Sequence, residues 1–260
     1  MKINRKYSIA LKFISIIVVV VCIVYANVSR GKSEINGLNI NIEYNGNDTL
    51  VTTTALKKIV VSKIPDINMM TINDIDRKKI EDIIKQNPYI ESSDVSVSIK
   101  GTIQINAVQR TPIVRIIQNS KQFYLDNSGK YIPASRINNP NVIIASGYII
   151  GTISDEIEMN KKGIDTTEND LHRIYKLATY LIEHKNLKPL FDHIYICQNG
   201  DIELVPKIGN HTIVIGDLNN LDEKFENLFA VYNKGFSNIG WDSYKKINLK
   251  FKNQVVCTKK

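Results

Sequence analysis

Cysteine, histidine and tryptophan are scarce in this sequence, at three, four and one among 260 residues. Cys22 lies inside an apolar run, so Cys197 and Cys257 are the only thiols left for the rest of the chain. Two cysteines far apart in sequence do not form a disulfide framework, and buried free thiols are expected instead. Neither belongs to a CxxC pair, which argues against a thiol oxidoreductase. The histidines His172, His184, His193 and His211 follow no HExxH or Cys/His ligand spacing, so they are expected at the surface or at caps rather than on a metal. The 13 glycines form neither GxGxxG nor a phosphate-cradling loop, and no GxSxG turn lifts a serine toward a base. Catalytic residues, cofactors, metals and a small-molecule substrate are accordingly all assigned as none.

Acidic residues are missing from the front of the chain. Six of the 34 Lys and Arg fall in residues 1–32 and none of the 26 acids does, so the formal charge of +8 sits almost wholly there. The remainder is close to neutral, which removes the main electrostatic argument for nucleic-acid binding.

What is present at the front is a segment from Ile9 to Ala26 that is apolar but for Lys12 and Ser15. It has the length needed to cross a bilayer as a helix, with Lys12 snorkelling to the inner headgroups. The basic residues Lys2, Arg5 and Lys6 put residues 1–8 in the cytoplasm and export the rest. Val24-Tyr25-Ala26 also resembles a signal-peptidase site, so a removable signal peptide is the rival to an anchor. Both readings agree on export. The expected organisation is a tail over 1–8, a transmembrane anchor over 9–27, a polar linker over 28–37, and two domains over 38–112 and 113–260.

The first domain reads as strand, helix, helix, strand, strand. Leu38, Ile40 and Ile42 alternate with polar residues, and Ala55, Leu56, Ile59 and Val60 recur at helical spacing behind a capping Thr. Ile80, Ile83 and Ile84 stripe a second helix, capped by Asn73 or Asp74 and stopped by Pro88. Lys78, Lys79 and Lys85 give that helix a solvated basic face. Two alternating runs around Val95–Ile99 and Ile103–Ala107 close the unit at Thr111-Pro112.

The second domain reads as strands over 114–118, 123–125, 131–132 and 142–148, then a helix over 169–185 capped by Thr166 or Thr167. Strands over 193–198, 202–205 and 211–215, a helix over 221–234 closed by Gly235, and a final strand over 246–257 follow.

Three local runs are more specific than element order. They are Asn87-Pro88-Tyr89-Ile90 leading to Gln109-Arg110-Thr111-Pro112, Tyr124-Leu125-Asp126 with Gly129, and Asn248-Leu249-Lys250-Phe251 near the end. Together they resemble the bacterial cell-division family FtsQ, also called DivIB, along nearly the whole chain. Asn, Lys and Phe stand where that family has Asp, Arg and Tyr in its closing Asp-Leu-Arg-Tyr run, and Lys lacks the bidentate geometry of Arg.

The resemblance implies an α+β fold with one N-terminal transmembrane helix, a POTRA-like β-α-α-β-β domain and a larger β-rich domain. It implies a non-enzymatic scaffold in the cell membrane at the division septum, binding other divisome membrane proteins, in particular small single-span coiled-coil division proteins. Docking is expected by strand addition at the final strand, on Lys250, Phe251, Asn253, Gln254 and Val255, with Tyr244 and Lys252 as weaker additions. The bland reading is that Ile247, Leu249 and Phe251 are core residues and the lysines guard a sheet edge. A rival from another class is an exported POTRA module that captures polypeptides for outer-membrane assembly or secretion; a third is an exported hydrolase, which would need a pocket of convergent polar groups.

Overall fold

The structure, a computed structural model, describes residues 5–46, 48–135, 137–151, 169–236, 240 and 243–260. The expected caps Thr166 and Thr167 lie outside the described residues. The chain is α+β with one N-terminal apolar helix and a large β-rich region. Its contacts divide it into two units, Met1–Tyr44 with Val51–Gln109 and Asn45–Leu50 with Arg110–Lys260.

Helix α1, Arg5–Gly31, contains a stretch, Ile14–Gly31, long and apolar enough to cross a membrane. It continues four residues into the segment expected to be linker, and that segment is not free. Ser33 and Ile35 exchange backbone hydrogen bonds with Ile72 and Met70, and the Ile35 side chain is buried. The correction has a simple cause: polar composition hid one apolar residue, Ile35, and the backbone bonds made beside it.

In the same unit, β1 (Gly37–Glu43) lies parallel to β3 (Thr102–Gln109), which pairs antiparallel with β2 (Ile90–Val97) on its other side. Helices α2 (Thr53–Lys63) and α3 (Arg77–Lys85) place Leu56, Val60, Ile80, Ile83 and Ile84 in one core with Ile40, Ile42, Ile103 and Ile105. Each such side chain removed from water contributes about 1.5–3 kcal/mol. Thr52 caps α2, accepting from the Ala55 N–H at 3.2 Å. Asp76, not Asn73 or Asp74, caps α3, accepting from the Lys79 N–H at 3.0 Å. Asp74 instead closes a box with Thr71 on the preceding 3₁₀ turn, and the Thr71 hydroxyl and N–H that it accepts hold its carboxyl below the usual range.

The other unit is built on nine strands: β4 (Pro112–Gln118), β5 (Lys121–Asp126), β6 (Tyr131–Pro133), β7 (Ile143–Gly147), β8 (Phe191–Ile196), β9 (Ile202–Pro206), β10 (Thr212–Gly216), β11 (Tyr244–Asn248) and β12 (Val256–Lys259). Their order across the sheet is β12-β11-β10-β9-β8-β7-β4-β5-β6. Two antiparallel meanders, β4–β5–β6 and β8–β9–β10, are joined by parallel pairings of β7 with β4 and with β8. Parallel neighbours need crossovers, supplied by α4 (Asp170–Glu183) between β7 and β8 and by α5 (Leu221–Val231) between β10 and β11. Both helices share one core with Ile116, Ala145, Ile194, Leu204, Ile213 and Ile247, so they cover the same face of the sheet. Asn169 caps α4, accepting from the Leu171 N–H at 3.0 Å. Helix α5 passes into a π-turn over Tyr232–Phe236, so Gly235 lies within that turn rather than after it.

The largest departure from the sequence reading is at the end. The strand expected over 246–257 is two strands, β11 and β12, folded into an antiparallel hairpin with Ile247 opposite Cys257. Alternation had joined them because Leu249 and Phe251 continue the apolar period of Ile247 across the turn.

Candidate docking site at the β11–β12 hairpin

The turn between β11 and β12 is pinned at its start and open at its tip. Leu249 is buried, and its N–H donates to the Val214 carbonyl at 2.9 Å, extending the parallel pairing of β11 with β10 by one step. The Asn248 side-chain oxygen accepts from the Lys250 N–H at 3.0 Å. Beyond it Phe251 is 51 % exposed, and Asn253 has φ of 56°, a left-handed conformation that Asn tolerates better than most residues.

Two lysines tie the hairpin across the sheet. Lys250 Nζ reaches Asp201 Oδ2 at 2.8 Å, and Lys246 Nζ reaches Glu203 Oε1 at 2.7 Å, the latter bond raising the Lys246 pKa. The Lys250 stem lies against Gly216, where a Cβ would stand 2.7 Å from Lys250 Cγ and where φ is +73°. Gly216 therefore meets both a backbone and a space requirement. The single charge of Lys250 finds a carboxylate without the fork geometry of Arg.

Helix α5 forms the wall beside the turn. Lys224 is buried, and its Nζ donates to the Asp217 carbonyl at 2.9 Å and to Asp217 Oδ1 at 2.7 Å. That bond, first among the causes, holds the Asp217 carboxyl below its ordinary range. Asp222 and Glu223 occupy the first turn of α5, where negative charge suits the helix dipole, and Glu223 Oε1 also accepts from the Asn253 N–H at 3.4 Å. Between this wall and residues 249–252 lies a polar cleft of about 270 Å³. A second recess of about 400 Å³ runs between α5 and the hairpin, lined by Asn227, Ala230, Val231, Lys234, Tyr244, Val255 and Cys257.

Of the residues singled out in the sequence, Tyr244 lies on β11 and Val255 beside the second recess, while Lys250, Phe251 and Lys252 line the first cleft. Asn253 and Gln254 complete the turn. Lys250, Phe251, Lys252, Asn253, Gln254 and Val255 thus lie in the turn between the strands rather than on one continuous strand, and Gln254 donates within it to the Phe251 carbonyl, at 3.4 Å. The segment with a free side is β12, which among the described residues has a strand neighbour on β11 only. Missed by the sequence reading were Asn227, Ala230 and Val231 of α5, with Lys234 in the π-turn that follows; the i, i+3, i+4 spacing of the first three marks one helix face, but nothing local says which strand it meets.

The remaining candidates are placed elsewhere. Cys197 and Cys257 are free and half-buried, and burial raises both thiols. His172 and His211 are buried, against the expectation of surface or capping roles; His211 Nε2 meets the Tyr232 hydroxyl at 3.0 Å. Both follow from position: His172 falls on the buried side of α4, and His211 immediately precedes β10. Ser146 Oγ lies 2.8 Å from His193 Nε2, joining β7 to β8. Alternation with buried Ala145 and Ile194 puts this pair on the sheet face turned away from α4 and α5, and burial lowers the His193 pKa. Among the described residues no cluster of His, Cys, Asp and Glu has the arrangement to hold a metal.

At the opposite end of the sheet, two of the sequence runs meet. Arg110 Nη1 donates to Asp126 Oδ2 at 2.7 Å, and Asp126, fully buried, also accepts from the Ser128 N–H and hydroxyl and the Lys130 N–H. The Arg-Thr-Pro run and the Tyr-Leu-Asp run are therefore two halves of one buried ion pair that fixes the β5–β6 turn.

No curated protein matches the sequence. Residues 111–258, a stretch that runs from β4 into β12 and includes both turns, match the family described as FtsQ/DivIB, C-terminal related. That family points to a role in cell division among other division components, and the apolar α1 fits a single-pass membrane protein. By this match over more than half its length, the chain belongs to the FtsQ/DivIB C-terminal-related family.

Proposed function

We propose that this protein is a non-enzymatic, membrane-anchored scaffold of the division machinery, with its amino terminus inside the cell and both units exported. The Gly37–Gln109 sheet with its two helices is read as a POTRA-like domain, on the strength of its β-α-α-β-β order and the β1-β3-β2 arrangement. The larger unit receives another division protein, of the small single-span coiled-coil kind, at the β11–β12 hairpin.

One observation carries this reading: β12 lies at a sheet edge beside an exposed Phe251 and two recesses along α5. An edge strand offers unpaired N–H and C=O groups to an incoming strand, and adjacent recesses accept its side chains. Phe251, Lys252 and Asn253 then contact the partner through side chains at the hairpin tip, with Lys250, Gln254, Val255 and Tyr244 shaping the surface around them. Strand addition belongs to β12, Val256–Lys259.

The test is photocrosslinking in cells with a reactive residue at Phe251 or Thr258, combined with fluorescence localisation. Capture of a small coiled-coil membrane protein from both positions, with midcell enrichment, is the expected result. Capture of translocating polypeptides or barrel proteins with uniform envelope staining overturns it in favour of a secretion module.

A further inference from the structure

We propose that the loops carrying Met69 and Ile99 insert into the outer face of the bilayer beside the exit of α1, so that the small unit rests on lipid as well as being tethered through it. This inference depends on the reading of α1 as a membrane span.

It starts from two side chains. Met69 and Ile99 are each 83 % exposed, and no other large apolar side chain among the described residues is as exposed. Isolated surface hydrophobics are ordinary and need no explanation. These two differ in where their backbones are held. The Met70 carbonyl accepts from the Ile35 N–H at 3.0 Å, and the Lys100 carbonyl accepts from Asn36 Nδ2 at 2.7 Å. The Gly101 carbonyl accepts from the Asn36 N–H at 3.0 Å. Met69, at the end of the 3₁₀ turn Ile67–Met69, and Ile99, in the turn between β2 and β3, are thus each one residue from a carbonyl bonded to the chain that leaves α1.

That exit is rigid. Gly31 is buried, and a Cβ there would stand 2.3 Å from Asn73 Nδ2. Arg30 Nη2 reaches the Val97 carbonyl at 3.5 Å, and the Ile72 N–H donates to the Ser33 carbonyl at 3.0 Å. No flexible tether separates the helix from the two loops.

The height agrees. The apolar span Ile14–Gly31 covers 18 residues, about 27 Å of helix, close to the thickness of the hydrocarbon core, so it ends at the exit itself. Segments bonded to residues 33–36 then sit at headgroup level, where apolar side chains gain by reaching toward the acyl boundary. Arg30, Lys32 and Lys100 flank these positions in the sequence and are balanced by Glu34, Asp66 and Asp74. The contact is therefore apolar and has little need of anionic lipid.

The experiment places single added tryptophans in the full chain, reconstituted in nanodiscs of phosphatidylcholine with or without brominated acyl chains, over the background of Trp241. Met69→Trp and Ile99→Trp are expected to lose severalfold more fluorescence to brominated lipid than Ser92→Trp, which lies on an exposed position of β2 about 17 Å along the strand from Val97. Val19→Trp, in the middle of α1, reports the span itself. Quenching at 19 with none above the Ser92 level at 69 and 99 overturns this inference and leaves the anchor standing. Absence of quenching at 19 removes the anchor and this inference with it.

Discussion

The nine-stranded sheet carries two turns near its ends, each overlapping one of the sequence runs, and they are built in opposite ways. The β5–β6 turn is closed around a fully buried Asp126 that accepts from Ser128 and Lys130 and pairs with Arg110. The β11–β12 turn is held by the Leu249 N–H, the Lys250 tie to Asp201 and longer bonds such as Asn253 N–H to Glu223, and leaves Phe251 half in water. A buried carboxylate with both oxygens engaged is costly to disturb and is screened from a partner. An exposed aromatic on a loosely held turn costs the fold little and has contacts to give. Motif strength in the sequence thus does not separate a closed turn from an open one; burial does.

The sharpest way to break that contrast is Asp126→Ala, which strands Arg110 and three donors. It should cost about 3–5 kcal/mol, read as a lower unfolding midpoint of the full chain in detergent. A change as small as that of a surface substitution would mean the β5–β6 turn is not the rigid end. Gly216→Ala lies between the two cases: the left-handed backbone should cost about 1–2 kcal/mol, and the new methyl displaces the Lys250 stem from its path to Asp201. Loss of stability and loss of partner capture should appear together in that variant.

Phe251→Ala should leave the unfolding midpoint within about 0.5 kcal/mol of the parent. If the turn is the docking site, it weakens partner capture by about 2 kcal/mol, measured by titration of the purified partner. Equal effects on folding and capture would make Phe251 a core residue after all. The smallest effect is on pH. Asp217 has its folded-state carboxyl depressed by Lys224, so its contribution is present above the unfolded carboxylate range, about pH 4, and is lost as pH falls through the lower folded value. The protection of amides at the start of α5, taken relative to the intrinsic exchange rate at each pH, should therefore be unchanged from neutrality down to about pH 4 and fall only below it.

Much of the architecture was readable because helices and strands announce themselves by local period. The stripe of α3 and the capping Thr52 stand in the structure as the spacing required. The reading failed where a period ran on through a turn. Ile247, Leu249 and Phe251 keep strict alternation, yet Leu249 is the last buried member and Phe251 points into water. It failed again at residues 28–37, where four residues continue α1 and a single buried Ile35 anchors a segment of otherwise polar composition.

The sequence by itself determined the apolar helix at the front, the succession of helices and strands, and the residues that identify the family, because each depends on neighbours a few positions apart. Tertiary structure alone decided that Arg110 meets Asp126, that α5 walls the hairpin, that Lys250 crosses to Asp201, and that the last strand is two. Those outcomes depend on which distant segments close against one another and what is buried when they do, and no local period encodes that choice.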